Sequence, residues 1–122
     1  YNAEYMDLIN PTLENQGPLI QWKEGCLSIP GIDGKVERSE ITLVKYTSEK
    51  GEEKRIIAEW PFSGGLQHEC DHLDGKLFIN RMGKKKAAFL LDRWRRKKRK
   101  EAIKAKRAKR AKKTYKKYLA RL

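Results

Sequence analysis

The sequence predicts an α+β fold in which antiparallel strands pack around a central motif helix, followed by a long basic C-terminal helix. Three short segments rich in apolar and β-branched residues are typical of strands, namely LINPTL (8–13), ITLVKY (41–46) and KRIIAEW (54–60). The segment GGLQHECDHL (64–73) shows helical apolar spacing. The residues after Gly83 contain no glycine or proline and are rich in alanine and basic residues, which favours a helix.

The charges divide the chain into two predicted domains, 1–82 and 83–122. Residues 1–82 hold 9 Lys/Arg and 14 Asp/Glu, a net charge of −5, whereas residues 83–122 hold 20 and 2, a net charge of +18. A conventional core is therefore expected only in the first domain. The second is expected to be a basic helical extension.

The first domain carries local signals for the ends of its elements. The segment ENQGPLIQWKEG (14–25), which follows the first strand, resembles a loop. The segment TSEKGEE (47–53) supplies Gly51 for a hairpin turn between the second and third strands. Pro61 ends the third strand.

The central helix is predicted to begin at a Ser63 cap. Gly64 and Gly65 are costly in the first turn of a helix, so they indicate close packing of the backbone against a neighbour. Four residues at helical spacing are predicted to join the core: Leu66, Cys70, Leu73 and Leu77.

His68 and His72 are the only histidines of the chain, and they lie four positions apart with Glu69 after the first. On a helix this spacing places both imidazoles on one face, where they can bind one divalent metal. Glu69 can then act as a general base toward a water that the metal activates. The alternative is a helix with two surface histidines beside acidic residues.

A hydrolytic metal site needs a third ligand. Cys70 lies roughly opposite His68 on the helix and is better placed as a small buried residue. Asp71 and Asp74 follow the histidines too closely to approach the metal from a separate direction. Cys26, in EGCLSIPG (24–31), remains, and Gly25 beside it allows a close approach of the backbone. A buried structural cysteine is the alternative, but the two-histidine motif favours the ligand.

These motifs resemble those of the peptide deformylases. EGCLS (24–28) and QHECDH (67–72) are similar to the second and third signature motifs of that family, and LINP (8–11) and GKLFINRM (75–82) match the flanking sequence. The resemblance spans residues 8–82. It implies metal ligation by Cys26, His68 and His72, acid/base chemistry by Glu69, and an oxyanion donor at the backbone N–H of Leu27. The resemblance also implies that four residues support this site, namely Glu24, Gly25, Arg38 and Gln67. A simple surface ion pair between Glu24 and Arg38 is the alternative.

The resemblance implies metal-dependent removal of the N-formyl group from N-formylmethionyl nascent peptides, with Fe²⁺ as the metal and Zn²⁺, Ni²⁺ or Co²⁺ as alternatives. The family carries a further motif, G-x-G-x-A-A-x-Q, upstream of INP, and this chain contains no such string. Two interpretations follow: a fragment of a longer protein, or a short homologue that has lost the motif. Loss of an oxyanion donor typically lowers turnover about a hundred- to a thousand-fold.

The basic extension is predicted to bind nucleic acid by displacing counterions from phosphates. The resemblance makes the ribosome, through rRNA and exit-tunnel proteins, the expected partner. The predicted contact residues are Arg93, Arg95, Arg96, Lys97, Lys98, Arg99, Lys100, Lys104, Arg107 and Arg110. A solvated arm is the alternative for this segment.

A non-catalytic ribosome- or RNA-binding protein with a relict metal site is the alternative for the whole chain. No membrane partner is expected, because the sequence lacks a sufficiently long apolar stretch. The expected location is the cytoplasm or an organellar matrix or stroma, since two cysteines do not suggest a disulfide framework.

Overall fold

The computed structural model describes residues 5–122, so residues 1–4 of the predicted first domain lie outside the described part. The chain forms two compact units, Tyr1–Gly83 and Lys84–Leu122. The first contains strands β1 (Ile9–Gly25), β2 (Asp33–Thr47) and β3 (Glu53–Glu59), helix α1 (Phe62–Leu73) and the short 3-10 helix η1 (Phe78–Arg81). The second contains helix α2 (Lys84–Leu119). The predicted α+β class is confirmed.

The three strands form one antiparallel sheet in the order β1-β2-β3. The loop predicted at 14–25 is wrong, because β1 runs through this segment to Gly25. The pairing register with β2 shifts between Gln16 and Leu19, and Gly17 there has φ 77°. A bulge on an edge strand accommodates this glycine and the following Pro18, which has no N–H to donate.

The turn between β2 and β3 agrees with the hairpin prediction. Ser48 N–H donates to the Glu52 carbonyl at 2.8 Å, and Gly51 N–H donates to the Ser48 carbonyl at 2.9 Å. Gly51 has φ 80°, a conformation that glycine adopts without strain. The turn fixes the β2–β3 register, in which Val44 lies opposite Ile56.

The core of the first unit comes mainly from the sheet and η1. Its buried apolar residues are Ile29, Val36, Val44, Tyr46, Ala58, Phe78 and Ile79. Helix α1 instead buries Ser63, Gly64, Gln67 and Asp71. The predicted core position of Leu73 is therefore wrong, since this side chain is 71% exposed. Leu66, Cys70 and Leu77 are only half-buried.

The start of α1 differs from the predicted serine cap. The helix begins at Phe62, and its N-cap residue Pro61 makes no side-chain capping bond. Ser63 Oγ donates instead to the carbonyls of Ser39, at 3.1 Å, and Glu40, at 2.7 Å. The hydroxyl thus fastens α1 to β2, which explains why it is unavailable for the helix end.

The two glycines of the first turn have different surroundings. A Cβ at Gly64 would lie 2.6 Å from Trp60 Cζ3 and 3.2 Å from Trp22 Cζ2, which confirms close packing there. A Cβ at Gly65 would meet nothing within 4 Å, so the same prediction is wrong for that residue. The Trp22 and Trp60 rings meet edge to face, with centroids 4.6 Å apart.

Helix α2 is a continuous helix of 36 residues, as the alanine-rich basic sequence predicts, and none of its residues is buried. Among the described residues, no helix combines the length and the apolar character that a bilayer-spanning segment needs.

Candidate metal centre

The three predicted ligands converge in the structure. Cys26 follows the last residue of β1, while His68 and His72 lie one turn apart on α1. Cys26 Sγ is 3.4 Å from His72 Nε2, which is 3.2 Å from His68 Nε2. The three ligand atoms lie within 4.8 Å of one another. The sheet and the helix therefore bring a thiol and two imidazoles to one point.

This donor set fits a first-row divalent metal. Ligand bonds of about 2.0–2.3 Å at tetrahedral angles separate neighbouring donor atoms by about 3.3–3.6 Å. The observed separations of 3.2 and 3.4 Å are close to that range. One thiolate and two imidazoles also match the ligands that zinc and ferrous iron accept.

His68 is oriented by a carboxylate from β1. Its Nδ1 lies 2.7 Å from Glu24 Oε2, so Nδ1–H donates to the carboxylate and Nε2 stays available toward Cys26. Burial is the largest single influence and would lower the pKa of His68, but Glu24, Cys26 and Glu69 together outweigh it and raise the pKa. A carboxylate that orients a histidine in this way is a usual partner of metal-ligating histidines.

Two further residues donate hydrogen bonds to the Glu24 carboxylate. Arg38 donates from Nε to Oε1 at 2.7 Å and from Nη2 to Oε2 at 3.0 Å, and Trp22 Nε1–H donates to Oε1 at 2.7 Å. Burial would raise the pKa of Glu24, but Arg38 and His68 lower it overall. Glu24 is 5% and Arg38 is 3% exposed, so the alternative of a surface ion pair is wrong.

The network extends beyond Arg38. Arg38 Nη1 donates to Asp71 Oδ2 at 2.7 Å. Arg81 of η1 donates to the same carboxylate, from Nε to Oδ2 at 3.1 Å and from Nη2 to Oδ1 at 2.6 Å. Burial would raise the pKa of Asp71, but both arginines lower it overall.

Sequence reasoning missed the contributions of Trp22, Asp71 and Arg81. Trp22 and Glu24 are two residues apart in β1, so their side chains lie on the same face of the sheet. This signal was missed because the segment was interpreted as a loop. Asp71 follows Gln67 at helical spacing, and both are buried. No local pattern in the sequence connects Arg81 to Asp71.

The thiol of Cys26 lies in surroundings that favour the thiolate. Burial would raise its pKa, but Ser28 N–H, which lies 3.4 Å from Sγ, and His68 lower it overall.

The two predicted catalytic groups are exposed. Leu27 directly follows Cys26 in the chain, and its side chain is 98% exposed. Glu69 is exposed on α1, and its charge is among the causes that raise the pKa of His68.

The remaining predicted supporting positions, Gln67 and Gly25, contact β2 and the loop before it. Gln67 is buried; its Oε1 accepts from Ser39 N–H at 3.0 Å, and its Nε2 donates to the Ser39 carbonyl at 2.9 Å. A Cβ at Gly25 would meet the Ile32 carbonyl at 3.6 Å, an ordinary contact, so the structure does not require glycine there for space. The ten predicted nucleic-acid contacts are exposed on α2.

A family model, that of the polypeptide deformylases, matches residues 1–88. The chain belongs to the peptide deformylase family. It is 52% identical over 86 residues to the peptide deformylase of Fusobacterium nucleatum, covering 66% of this chain and 47% of that protein. It is 46% identical over 76 residues to that of a Picosynechococcus species, covering 62% of this chain and 41% of that protein.

Solved structures of the peptide deformylase family have the same fold. The enzyme of Ehrlichia chaffeensis superposes with a TM-score of 0.70 at 33% identity, covering 80% of this chain and 55% of that one. The enzyme of Legionella pneumophila superposes with a TM-score of 0.70 at 32% identity, covering 83% of this chain and 60% of that one. This deformylase-family chain thus spans about half the length of the relatives that it matches.

Proposed function

We propose that this chain is a metal-dependent peptide deformylase that hydrolyses the N-formyl group of N-formylmethionyl peptides. The observation that carries the proposal is the convergence of Cys26, His68 and His72 within 4.8 Å, beside Glu69, in a chain of this family. Non-catalytic RNA binding is not favoured, because the proteins that the chain resembles are peptide deformylases.

Cys26 Sγ and the Nε2 atoms of His68 and His72 would hold the metal. When bound, the metal would polarise the formyl oxygen and lower the pKa of a water molecule. We propose Fe²⁺ as the native ion and Zn²⁺, Ni²⁺ or Co²⁺ as ions that the same donors accept. Affinity order does not distinguish these ions, so the choice must come from measurement.

The residues of the chain would carry the proton and stabilise the charge. Glu69 would accept a proton from the attacking water and donate it to the leaving amine. Leu27 N–H would donate to the oxygen that becomes negative in the transition state. Glu24 would keep the Nδ1 proton on His68. A shallow groove of about 690 Å³ beside Cys26 could receive the peptide, and it is lined by residues that include Gly25, Leu27 and Ile32.

The test is hydrolysis of a formyl-Met-Ala-Ser peptide by the 122-residue chain, prepared without oxygen, with metal content measured on the same sample. Glu69→Ala should lower turnover about a hundredfold or more without loss of metal, because general acid–base catalysis contributes about 10²–10⁴-fold. Glu59→Ala, on the exposed part of β3, is the matched control. Metal-loaded chain without turnover would reject the activity. Metal loss in Glu69→Ala would reject its role as proton carrier.

We also propose that α2 docks the protein on the ribosome, through rRNA and exit-tunnel proteins. The support is a segment with a net charge of +18 on a helix that buries none of its residues. Six phosphate contacts would weaken binding roughly 10³-fold between 50 and 200 mM salt.

The docking test compares ribosome binding of the full chain with a variant that carries Gln at four α2 positions: Arg95, Arg96, Lys97 and Lys98. The control carries Gln at four exposed positions of the first unit and so loses the same charge: Lys45, Lys50, Lys54 and Arg55. Equal binding by all three proteins, or binding that does not change with salt, would reject docking by α2. We further propose a cytoplasmic or organellar-matrix location, which the free thiols of Cys26 and Cys70 support.

A further inference from the structure

Arg81 occupies a fixed place at the end of η1. Phe78 and Ile79 of this turn are 1% and 5% exposed, which anchors η1 in the core. Asn80 Oδ1 accepts from the Leu77 N–H at 2.8 Å and closes the turn. Arg81 therefore projects from an anchored turn, although its own side chain is 43% exposed.

The Arg81 guanidinium binds Asp71 at two points. Nη2 lies 2.6 Å from Oδ1 and Nε lies 3.1 Å from Oδ2. The Asp71 side chain is 8% exposed, so this pair is partly removed from water. Two parallel bonds between arginine and carboxylate fix the orientation of both groups more strongly than one bond does.

Asp71 is connected to the candidate ligands in two ways. Along the chain it directly precedes His72 on α1. Through space it binds Arg38, which binds Glu24, which binds His68 Nδ1. A continuous series of charged contacts thus connects η1 to the imidazole of His68, although Arg81 contacts neither histidine in these bonds.

The charge balance of this cluster depends on Arg81. Two carboxylates, Glu24 and Asp71, are matched by two guanidiniums, Arg38 and Arg81. Without Arg81, Arg38 would be the one guanidinium shared by both carboxylates. Leaving a buried charge without its partner is strongly unfavourable, so Arg38 would move toward Asp71 and loosen its two bonds to Glu24.

We propose that Arg81 is a positioning residue that holds the metal-binding histidines in place through Asp71, Arg38 and Glu24. This inference rests on the proposed metal site. It assigns to η1, an element outside the ligand motifs, a part in setting metal affinity.

The test measures Co²⁺ affinity by competition with a chelator, together with the visible spectrum of the Co²⁺-loaded chain, for Arg81→Gln and Arg81→Lys. Arg81→Gln should weaken affinity about tenfold, at the low end of the ~10–100-fold range for groups that orient metal ligands. Its ligand-field bands should shift. Arg81→Lys keeps the charge but not the two-point geometry, so it should restore affinity only in part. Arg55→Gln, at an exposed site on β3, should match the unmodified chain.

A double-mutant cycle with Glu24→Gln separates positioning from general destabilisation. If Arg81 acts through Glu24, the two affinity losses should be less than additive. Unchanged affinity and spectrum in Arg81→Gln, even with a lower melting temperature, would overturn the inference and leave the metal site intact. Additive losses would overturn the route through Glu24. An unmodified chain that binds no Co²⁺ would reject the proposed site itself, and the inference with it.

Discussion

Cys26 and Cys70 are both free thiols, yet their surroundings differ. Ser28 and His68 outweigh burial and lower the pKa of Cys26, whereas burial and then the charge of Asp74 raise the pKa of Cys70. We predict that Cys26→Ser weakens Co²⁺ binding by more than about a hundredfold. Loss of a residue that only orients a ligand weakens metal binding about 10–100-fold, and loss of a ligand itself should cost more. Cys70→Ser, the matched control, should retain binding. Chelator competition measures both, and equal losses would contradict the assignment of Cys26.

Gly64 is a glycine whose surroundings leave no room for a side chain. Its Cβ would enter the Trp60 ring, 2.6 Å from Cζ3, beside the Trp22 that donates to Glu24. We predict that Gly64→Ala lowers the free energy of unfolding by about 1–3 kcal/mol through overpacking. Gly65→Ala, with open space, should raise it by about 0.5–1 kcal/mol because alanine favours helix. Denaturant unfolding of both variants tests this, and equal effects would contradict the packing account.

The convergence of Cys26, His68 and His72 could be predicted because each signal is local in sequence. His68 and His72 share a helical spacing, and Cys26 stands in a motif of its own. The resemblance also indicated Glu24 and Arg38, but the bond between Arg81 and Asp71 could not be predicted. Arg81 meets Asp71 only once η1 is anchored by its own buried side chains. A contact between elements leaves no periodic pattern in either of them.

Helix α1 depends on Gln67 for its attachment to β2. The side chain bonds both the N–H and the carbonyl of Ser39, as well as Thr42 Oγ1 at 3.1 Å. We predict that Gln67→Ala lowers the free energy of unfolding by about 2–4 kcal/mol, because buried polar groups without partners cost about 1–3 kcal/mol each.

The measurement is denaturant unfolding, with amide hydrogen exchange at Ser39 as a local readout. Gln21→Ala is the control, since the Gln21 side chain makes one exposed 3.3 Å bond, to Glu37, within the described part of the chain. It should change stability by less than about 0.5 kcal/mol. Similar losses in both variants, or unchanged exchange at Ser39, would contradict this role for Gln67.

Two of the wrong predictions at the level of elements, the apolar face of α1 and the loop at 14–25, share a physical cause. Apolar periodicity identifies a helix face only when that face packs by apolar contacts, but α1 meets the sheet through Ser63, Gln67 and Asp71. Likewise, the polar segment 14–25 forms a strand although it contains Pro18, which has no N–H to donate. This is possible because β1 lies at the sheet edge and the pairing register shifts at a bulge beside the proline. Hydrogen bonds between elements outweigh the local pattern in both cases.

At the scale of the whole molecule, the acidic first unit holds the candidate metal centre and the basic helix α2 buries no residue. A metal that binds only the folded first unit stabilises it by mass action, about 2.7 kcal/mol at a hundred times Kd. We therefore predict that saturating Zn²⁺ slows amide exchange in β1, β2 and α1 but leaves α2 unchanged. Hydrogen exchange with mass spectrometry measures this, with Cys26→Ser as the control that should not respond. Slower exchange in α2 as well would mean that metal binding and the helix are energetically coupled.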